Sequence, residues 1–391
     1  MEYKLKAVIF DMDGVLVDSE PVHIHAHERF FKDMGYTLDT SIVYERFIGS
    51  TARPLWETLK AIYDLPYEVD ELIERNKAYE RTQEDIEGFP PIPYEKELIF
   101  DLKAHDLMLA VASSSPHSRI VRTVKALEIE DAFDALVSGT KLPHPKPAPD
   151  TFLAAAEALG VLPGECIVIE DSHNGVQAAI AAGMPVIGFH NPHSGVQDLT
   201  GADLIVESFE EVDTALLLKY YERHFGIPHT IARTAELKLR ELSAEDIPTV
   251  IDLLANESAL SVSSEIPQDP AEQTDYWNSY IHNQYALYDY GLWLILDAAT
   301  EEVLGVCGLH STKICEDGEL EACWLIKEVY RGRSIAQKAM DLVISYASQE
   351  LDCKAILASI DDSNEASLRL AASLGMTRRS DHIFYKEISP E

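Results

Sequence analysis

Basic charge is scarce in this sequence. Its 391 residues carry 32 Lys and Arg against 67 Asp and Glu, a formal net charge of −35. That balance argues against a binder of nucleic acid or anionic membrane. Long apolar runs are also missing: no stretch approaches the roughly 20 consecutive apolar residues that span a bilayer. The opening MEYKLKAVIF lacks a basic segment followed by a cleavage site, so a cytoplasmic location is expected. Cysteine is sparse and odd in number. Cys166, Cys307, Cys315, Cys323 and Cys353 show no CxxC spacing and mostly fall in apolar segments, which favours buried free thiols over disulfides or zinc. No internal repeat is visible.

With 46% hydrophobic residues and a length beyond one ordinary core, the chain reads as two or three folded domains. In the first half, continuous apolar runs at 7–10, 107–113, 166–170, 185–189 and 203–206 read as strands covered on both faces. Helical patterns at 117–127, 150–159 and 174–182 separate them, the signature of a doubly wound parallel sheet. Residues 19 to about 95 are rich in helical pattern without a central strand and read as an insertion after the first strand. A segment at 222–236 with Gly226 and Pro228 separates this half from another pattern. Beyond it come alternating strands (LKLREL, LWLILD, VLGVCGLHS, ELEACWLI), a helix from about 334, the strand AILASI, a short helix and HIFYKEI.

In an open α/β sheet, ligands bind at the carboxyl ends of the strands. AVIF is followed there by Asp11, Asp13 and Gly14. One carboxylate can serve as nucleophile or metal ligand and the other as acid or base, although Asp-Gly is also simple turn chemistry. Ser113, Ser114 and Ser115 follow the next run and suit either a phosphate or a helix cap. Lys146, between Pro145 and Pro147, is a suitable partner for an anionic nucleophile and a transferring phosphoryl group. Glu170 and Asp171 supply hard oxygens suited to magnesium.

Together DMDGVLVDSEPVH, VASSSP, KPAPD and EDSHNGVQAAIAAGM resemble the four motifs of the haloacid dehalogenase (HAD) superfamily, in its subgroup of phosphatases and β-phosphoglucomutase-like enzymes. The resemblance covers about residues 1–220. It implies a HAD-like Rossmannoid α/β sheet with a helical cap inserted after the first strand. It also implies that Asp11 attacks phosphorus, that Asp13 protonates the leaving oxygen and later activates water, and that Ser113 and Lys146 hold the phosphoryl group. Mg²⁺ would be bound by Asp11, the Asp13 carbonyl, Glu170 and Asp171. Substrate contacts are expected from Ser114 and Ser115, from Arg53 in the cap segment 47–59, and from His23 beside the acid. Arg53 could equally be solvated, and His23, His25 and His27 could line one polar face. At PIPY the sequence departs from the usual Pro-Gly before the next helix, which touches the cap hinge.

The second half, around WLIKEVYRGRSIAQKAMDLV and DDSNEASLRLAASLGM, resembles the GCN5-related N-acetyltransferases (GNAT) over about 236–388. That implies a mixed α+β domain in which a strand-to-helix turn, Arg331, Gly332, Arg333, Ser334, Ile335 and Ala336, receives the pyrophosphate of acetyl-CoA. Asn364 would sit in a helix beside the pantetheine. Ser334 stands where glycine is expected. Glu319 and Glu321 are candidate bases and Tyr385 a candidate acid. The expected domains are 1–228, with a cap at about 19–95, and 229–391. The leading function is a Mg²⁺-dependent phosphatase of small phosphorylated metabolites fused to an acetyltransferase with an unidentified amine acceptor. Alternatives are a β-phosphoglucomutase-like isomerase and a phosphatase regulated by a non-catalytic acyl-CoA-binding module.

Overall fold

A computed structural model describes residues 4–46, 52–255, 266–267 and 269–388. The chain divides into two compact units, Met1–Phe225 and Gly226–Glu391.

The first unit carries six strands: β1 (Ala7–Phe10), β2 (Met108–Ser113), β3 (Ala135–Ser138), β4 (Cys166–Glu170), β5 (Val186–Phe189) and β6 (Leu204–Val206). All pairs are parallel, in the order β3-β2-β1-β4-β5-β6. Every residue of β1 is fully buried, which is why its sequence is a continuous apolar run rather than an alternating one. The edge strand β3 escaped the sequence reading. Its ALVS is half-buried throughout and too short to stand out.

Four helices follow β1: α1 (Glu20–Asp33), α2 (Ser41–Arg46), α3 (Ala52–Tyr63) and α4 (Val69–Glu87). They form the expected insertion and have their own core of Phe30, Phe31, Trp56, Leu59 and Leu72. Within the cap segment 47–59, residues 47–51 lie outside the described residues, and the rest belongs to α3. The chain leaves and re-enters the sheet domain side by side, with Asp18 N–H donating to the Pro90 carbonyl at 2.8 Å and Ile92 N–H to the Leu16 carbonyl at 3.1 Å. Tyr94, in the PIPY departure, adopts φ +66 ahead of the next helix. A left-handed turn is thus kept without glycine, at a steric cost of roughly 1–2 kcal/mol. The sheet domain continues with α5 (Glu95–Ala104), α6 (His117–Ala126), α7 (Asp150–Leu159), α8 (His173–Ala181) and α9 (Thr214–His224).

The second unit has eight strands, β7 (Thr230–Arg233), β8 (Leu237–Arg240), β9 (Leu292–Asp297), β10 (Val303–His310), β11 (Glu319–Ile326), β12 (Ala355–Ser359), β13 (Thr377–Ser380) and β14 (Ile383–Glu387). Its helices are α10 (Ile247–Leu254), α11 (Pro270–Tyr288), α12 (Ile335–Gln349) and α13 (Glu365–Ser373). The sheet order is β13-β14-β12-β11-β10-β9-β8-β7. The segment read as a separator contains β7, paired with β8. β11 and β12 pair in parallel over Glu319↔Ala355, Leu320↔Ile356 and Glu321↔Leu357 alone, although β11 runs on to Ile326. The two strands therefore part beside Glu321. Trp293, fully buried, packs its ring against Tyr346 of α12 at 5.4 Å.

Candidate active site

The sheet register carries the site. Phe10 at the end of β1 lies opposite Val111 of β2 and Ile169 of β4, so the next residue, Asp11, emerges beside the ends of both neighbours. Asp11 N–H donates to the Ile169 carbonyl at 3.0 Å, fixing the backbone from which the carboxylate projects. Gly14 then turns at φ +85, and a Cβ there would collide with the Asp171 carboxylate. A Cβ on Gly175 would likewise strike Glu170. Both glycines make room for the acidic groups on the neighbouring strand end.

Lys146 joins these groups. Its Nζ lies 2.6 Å from Asp11 Oδ1, 2.7 Å from Glu170 Oε1 and 3.2 Å from the Ala112 carbonyl, over the Phe152 ring at 4.5 Å. Burial disfavours the ammonium, but Asp11 and Glu170 outweigh it and hold Lys146 above its ordinary value. Burial pushes Asp11 up to about 7, with Lys146 pulling it down and Glu170 and Asp13 pushing it up. Asp171 is raised well above the carboxylate range by burial, Glu170 and Asp11.

Asp11, Glu170 and Asp171 are all buried against one buried ammonium. Buried charge of one sign calls for a counter-charge, and hard carboxylate oxygens fit a hard divalent cation. Glu170 spends both oxygens, one on Lys146 and the other on the Ser172 N–H at 2.8 Å and hydroxyl at 2.9 Å. Accordingly, no three acidic, His or Cys side chains among the described residues are gathered at ligating spacing. The donor set fits such an ion in charge and chemistry.

Asp13 points to a different neighbourhood. Its carboxylate accepts from Ser115 Oγ at 2.9 Å and from Arg119 Nη1 at 2.7 Å on both oxygens. Burial works against its charge, but Arg119, His23 and a Ser19 hydrogen bond prevail and hold it down at about 2. Burial and the Arg119 charge push His23 down to about 4, against the pull of Asp13. Ser113 is buried and its Oγ accepts from Ser115 N–H at 3.0 Å. Ser114 is exposed. The structure thus brings together Asp11, Asp13, Ser113, Ser115, Lys146, Glu170, Asp171 and His23. Arg53 is exposed on α3 and pairs with Asp70 and, at 3.9 Å, with Glu57, within the cap.

Two contributors escaped the sequence reading. Arg119 lies one helical turn beyond Ser115, where an arginine in an amphipathic helix reads as solvated. Ser194, buried in the loop after β5, donates to Asp171 Oδ2. Its signal was weak, since a serine in a polar loop carries no pattern.

In the second unit the turn before α12 holds Gly332 at φ +78 and Ser334 at φ +58. Arg331 Nε donates to the Ile326 carbonyl at 3.0 Å, Arg333 lies over the Tyr330 ring at 5.4 Å, and Ile335 and Ala336 open the helix. Asn364 corrects an expectation: it stands before α13 as its N-cap, with Oδ1 accepting from Ser367 N–H at 3.0 Å. An asparagine favours that position because its side chain satisfies an otherwise unpaired amide. Glu319 is engaged by Arg379 Nη1 at 2.6 Å. Glu321 is buried, has no such cation among the described residues and accepts from Thr312 Oγ1 at 2.8 Å. Its carboxyl is raised by burial, Thr312 and the Ser359 amide pulling the other way. Tyr385 is half-buried on β14, with Arg379 5.4 Å from its ring.

Comparison with known proteins agrees with both halves. A haloacid dehalogenase-like hydrolase model matches residues 8–189, and an acetyltransferase (GNAT) domain model matches residues 236–377. The chain is 32% identical to a phosphorylated carbohydrates phosphatase of Thermotoga maritima, covering 46% of this chain and 82% of that protein. It is 31% identical to β-phosphoglucomutase of Bacillus subtilis, covering 56% and 97%, and 32% identical to fructose-1-phosphate phosphatase YqaB of Escherichia coli, covering 48% and 97%. The chain is therefore an enzyme that belongs to the haloacid dehalogenase-like hydrolase family through its first unit and carries a GNAT acetyltransferase domain in its second.

Proposed function

We propose that the first unit is a Mg²⁺-dependent phosphatase of small phosphorylated metabolites, sugar phosphates above all, working through an aspartyl phosphate on Asp11. The observation that carries this is Lys146 Nζ bridging Asp11 and Glu170 at adjacent strand ends, with Asp13 two residues from the nucleophile. The relatives that act on phosphorylated carbohydrates and fructose 1-phosphate support the substrate class.

An Asp11 oxygen attacks phosphorus opposite the leaving oxygen, and the P–O bond to the alcohol breaks. Arg119 holds Asp13 as a carboxylate in the free enzyme, so Asp13 takes up a proton as substrate binds, gives it to that oxygen, and then takes one from the water that cleaves the aspartyl phosphate. Lys146 keeps Asp11 oriented and disperses charge from the equatorial oxygens. Ser113, whose oxygen is fixed by the Ser115 amide, donates its own hydroxyl proton to the phosphoryl group, with Ser114 and Ser115 beside it. Asp11, the Asp13 carbonyl, Glu170 and Asp171 would hold Mg²⁺, which would supply positive charge to the transferring phosphoryl oxygens. His23 supports Asp13. Arg53, in its surface ion pairs, is assigned to reach substrate from the cap.

The second unit is read as an acetyl-CoA-dependent N-acetyltransferase. The residues 331–336 receive the pyrophosphate, Asn364 lies alongside the pantetheine, and Glu321, rather than the arginine-paired Glu319, takes the proton from an amine acceptor. We keep the domain boundary between 228 and 229, three residues beyond the division of the two compact units after Phe225.

Phosphate release from a panel of sugar phosphates, with Mg²⁺ and with EDTA, tests the first reading. Release with Mg²⁺ and none with EDTA is expected. Conversion of β-glucose 1-phosphate to glucose 6-phosphate without release would instead make it a mutase, as in the Bacillus relative.

A further inference from the structure

Arg119 touches the catalytic loop and the cap at once. Its Nη1 lies 2.7 Å from both Asp13 oxygens and 2.8 Å from Ser115 Oγ, while Nε donates to Glu84 Oε1 at 2.6 Å. Glu84 belongs to α4, and only 4% of its side chain is exposed. Held from two sides, the planar guanidinium presents its remaining nitrogen in a fixed direction. That nitrogen, Nη2, is buried and has no hydrogen-bond partner among the described residues. A charged donor in that state is costly unless something polar meets it. Arg119 also borders a narrow recess whose other walls include Val17, Val22, His23 and Phe89.

We propose that Arg119 Nη2 reads the leaving alcohol, donating a hydrogen bond to an oxygen on the carbon next to the phosphate ester. The preferred substrates are then phosphomonoesters of polyols or sugars with that vicinal oxygen. The inference rests on the phosphatase reading above. Asp13 meets the ester oxygen, Nη1 lies against Asp13, and Nη2 is the next nitrogen in the same plane. The atom it faces is therefore a close neighbour of the ester oxygen. Neither Arg119 nor the crevice pattern figured among the motif residues, because the guanidinium's role depends on Glu84 arriving from a helix 35 residues earlier.

The test compares kcat/KM for glycerol 3-phosphate, which has a vicinal hydroxyl, with that for the monophosphate of propane-1,3-diol, which lacks it. Wild type should prefer the glycerol ester by roughly tenfold or more, the worth of a hydrogen bond from a charged donor. Arg119→Lys keeps a cation against Asp13 but loses the fork, and the ratio should fall toward one. Because the readout is a ratio, a loss of turnover common to both substrates cancels. Glu84→Gln loosens the guanidinium from the cap side and should give an intermediate ratio, deciding the matter if Arg119→Lys is too damaged to assay. A wild-type ratio near one, or a preference kept in both variants, overturns the proposal and leaves the phosphatase reading standing. No release from these esters or from any sugar phosphate overturns both.

Discussion

At the scale of single residues, burial decides which groups do chemistry and which hold the frame. His27 is buried in the cap, its Nδ1 donating to the His23 carbonyl at 2.6 Å and its ring stacked on Trp56 at 5.5 Å. Burial pushes it down to about 4, from an ordinary value of 6.5. In the unfolded chain it takes up a proton near 6.5, so its contribution is fully present above that pH and is lost as pH falls toward 4. The loss amounts to about 3 kcal/mol at most. Melting curves of wild type and His27→Gln between pH 7 and 4 check this: wild type should lose stability the more steeply, and parallel curves would contradict it. Asp11, Asp13, Lys146, Glu170 and Asp171 were legible because each lies within three residues past an apolar run or sits in a rigid Pro-Lys-Pro. Arg119 and Ser194 were not, because their roles are set by partners 106 and 23 residues away.

At the scale of elements, the turn before α12 shows what a single substitution does to a binding loop. Ser334 occupies φ +58, a conformation that glycine reaches without steric penalty. Ser334→Gly should therefore raise stability by roughly 1 kcal/mol and, by opening the backbone to a pyrophosphate, tighten coenzyme A binding. Thermal melting and calorimetric titration with coenzyme A measure the two effects. A less stable glycine variant would show that the serine side chain has a structural role. The helices 150–159 and 174–182 were readable from periodicity to within a residue. By contrast β3, β7 and β13 were not, being four-residue edge or near-edge strands of half-buried or exposed residues whose identity is imposed by the neighbouring strand.

At the scale of the whole molecule, each unit has its own sheet and its own buried core: Val8, Phe10 and Ile169 in the first, Trp277, Trp293 and Val343 in the second. The fold class of both halves was legible, since one shows uninterrupted apolar strands separated by helices and the other alternating strands. The net charge of −35 makes the concentration of negative charge around Asp11 more demanding, and the divalent cation proposed for the strand ends would relieve it locally. No helix among the described residues is long and apolar enough to cross a membrane. The account stands on Asp11 as nucleophile. Phosphate release from fructose 1-phosphate in Mg²⁺, by wild type and by Asp11→Asn, with peptide-mass detection of the phosphorylated enzyme after digestion, tests it most directly. Wild type should release phosphate and carry a transient phosphoryl group on the peptide containing Asp11, and Asp11→Asn should do neither, losing at least about a thousandfold in rate. An Asp11→Asn protein that still turns over near the wild-type rate would contradict the assignment.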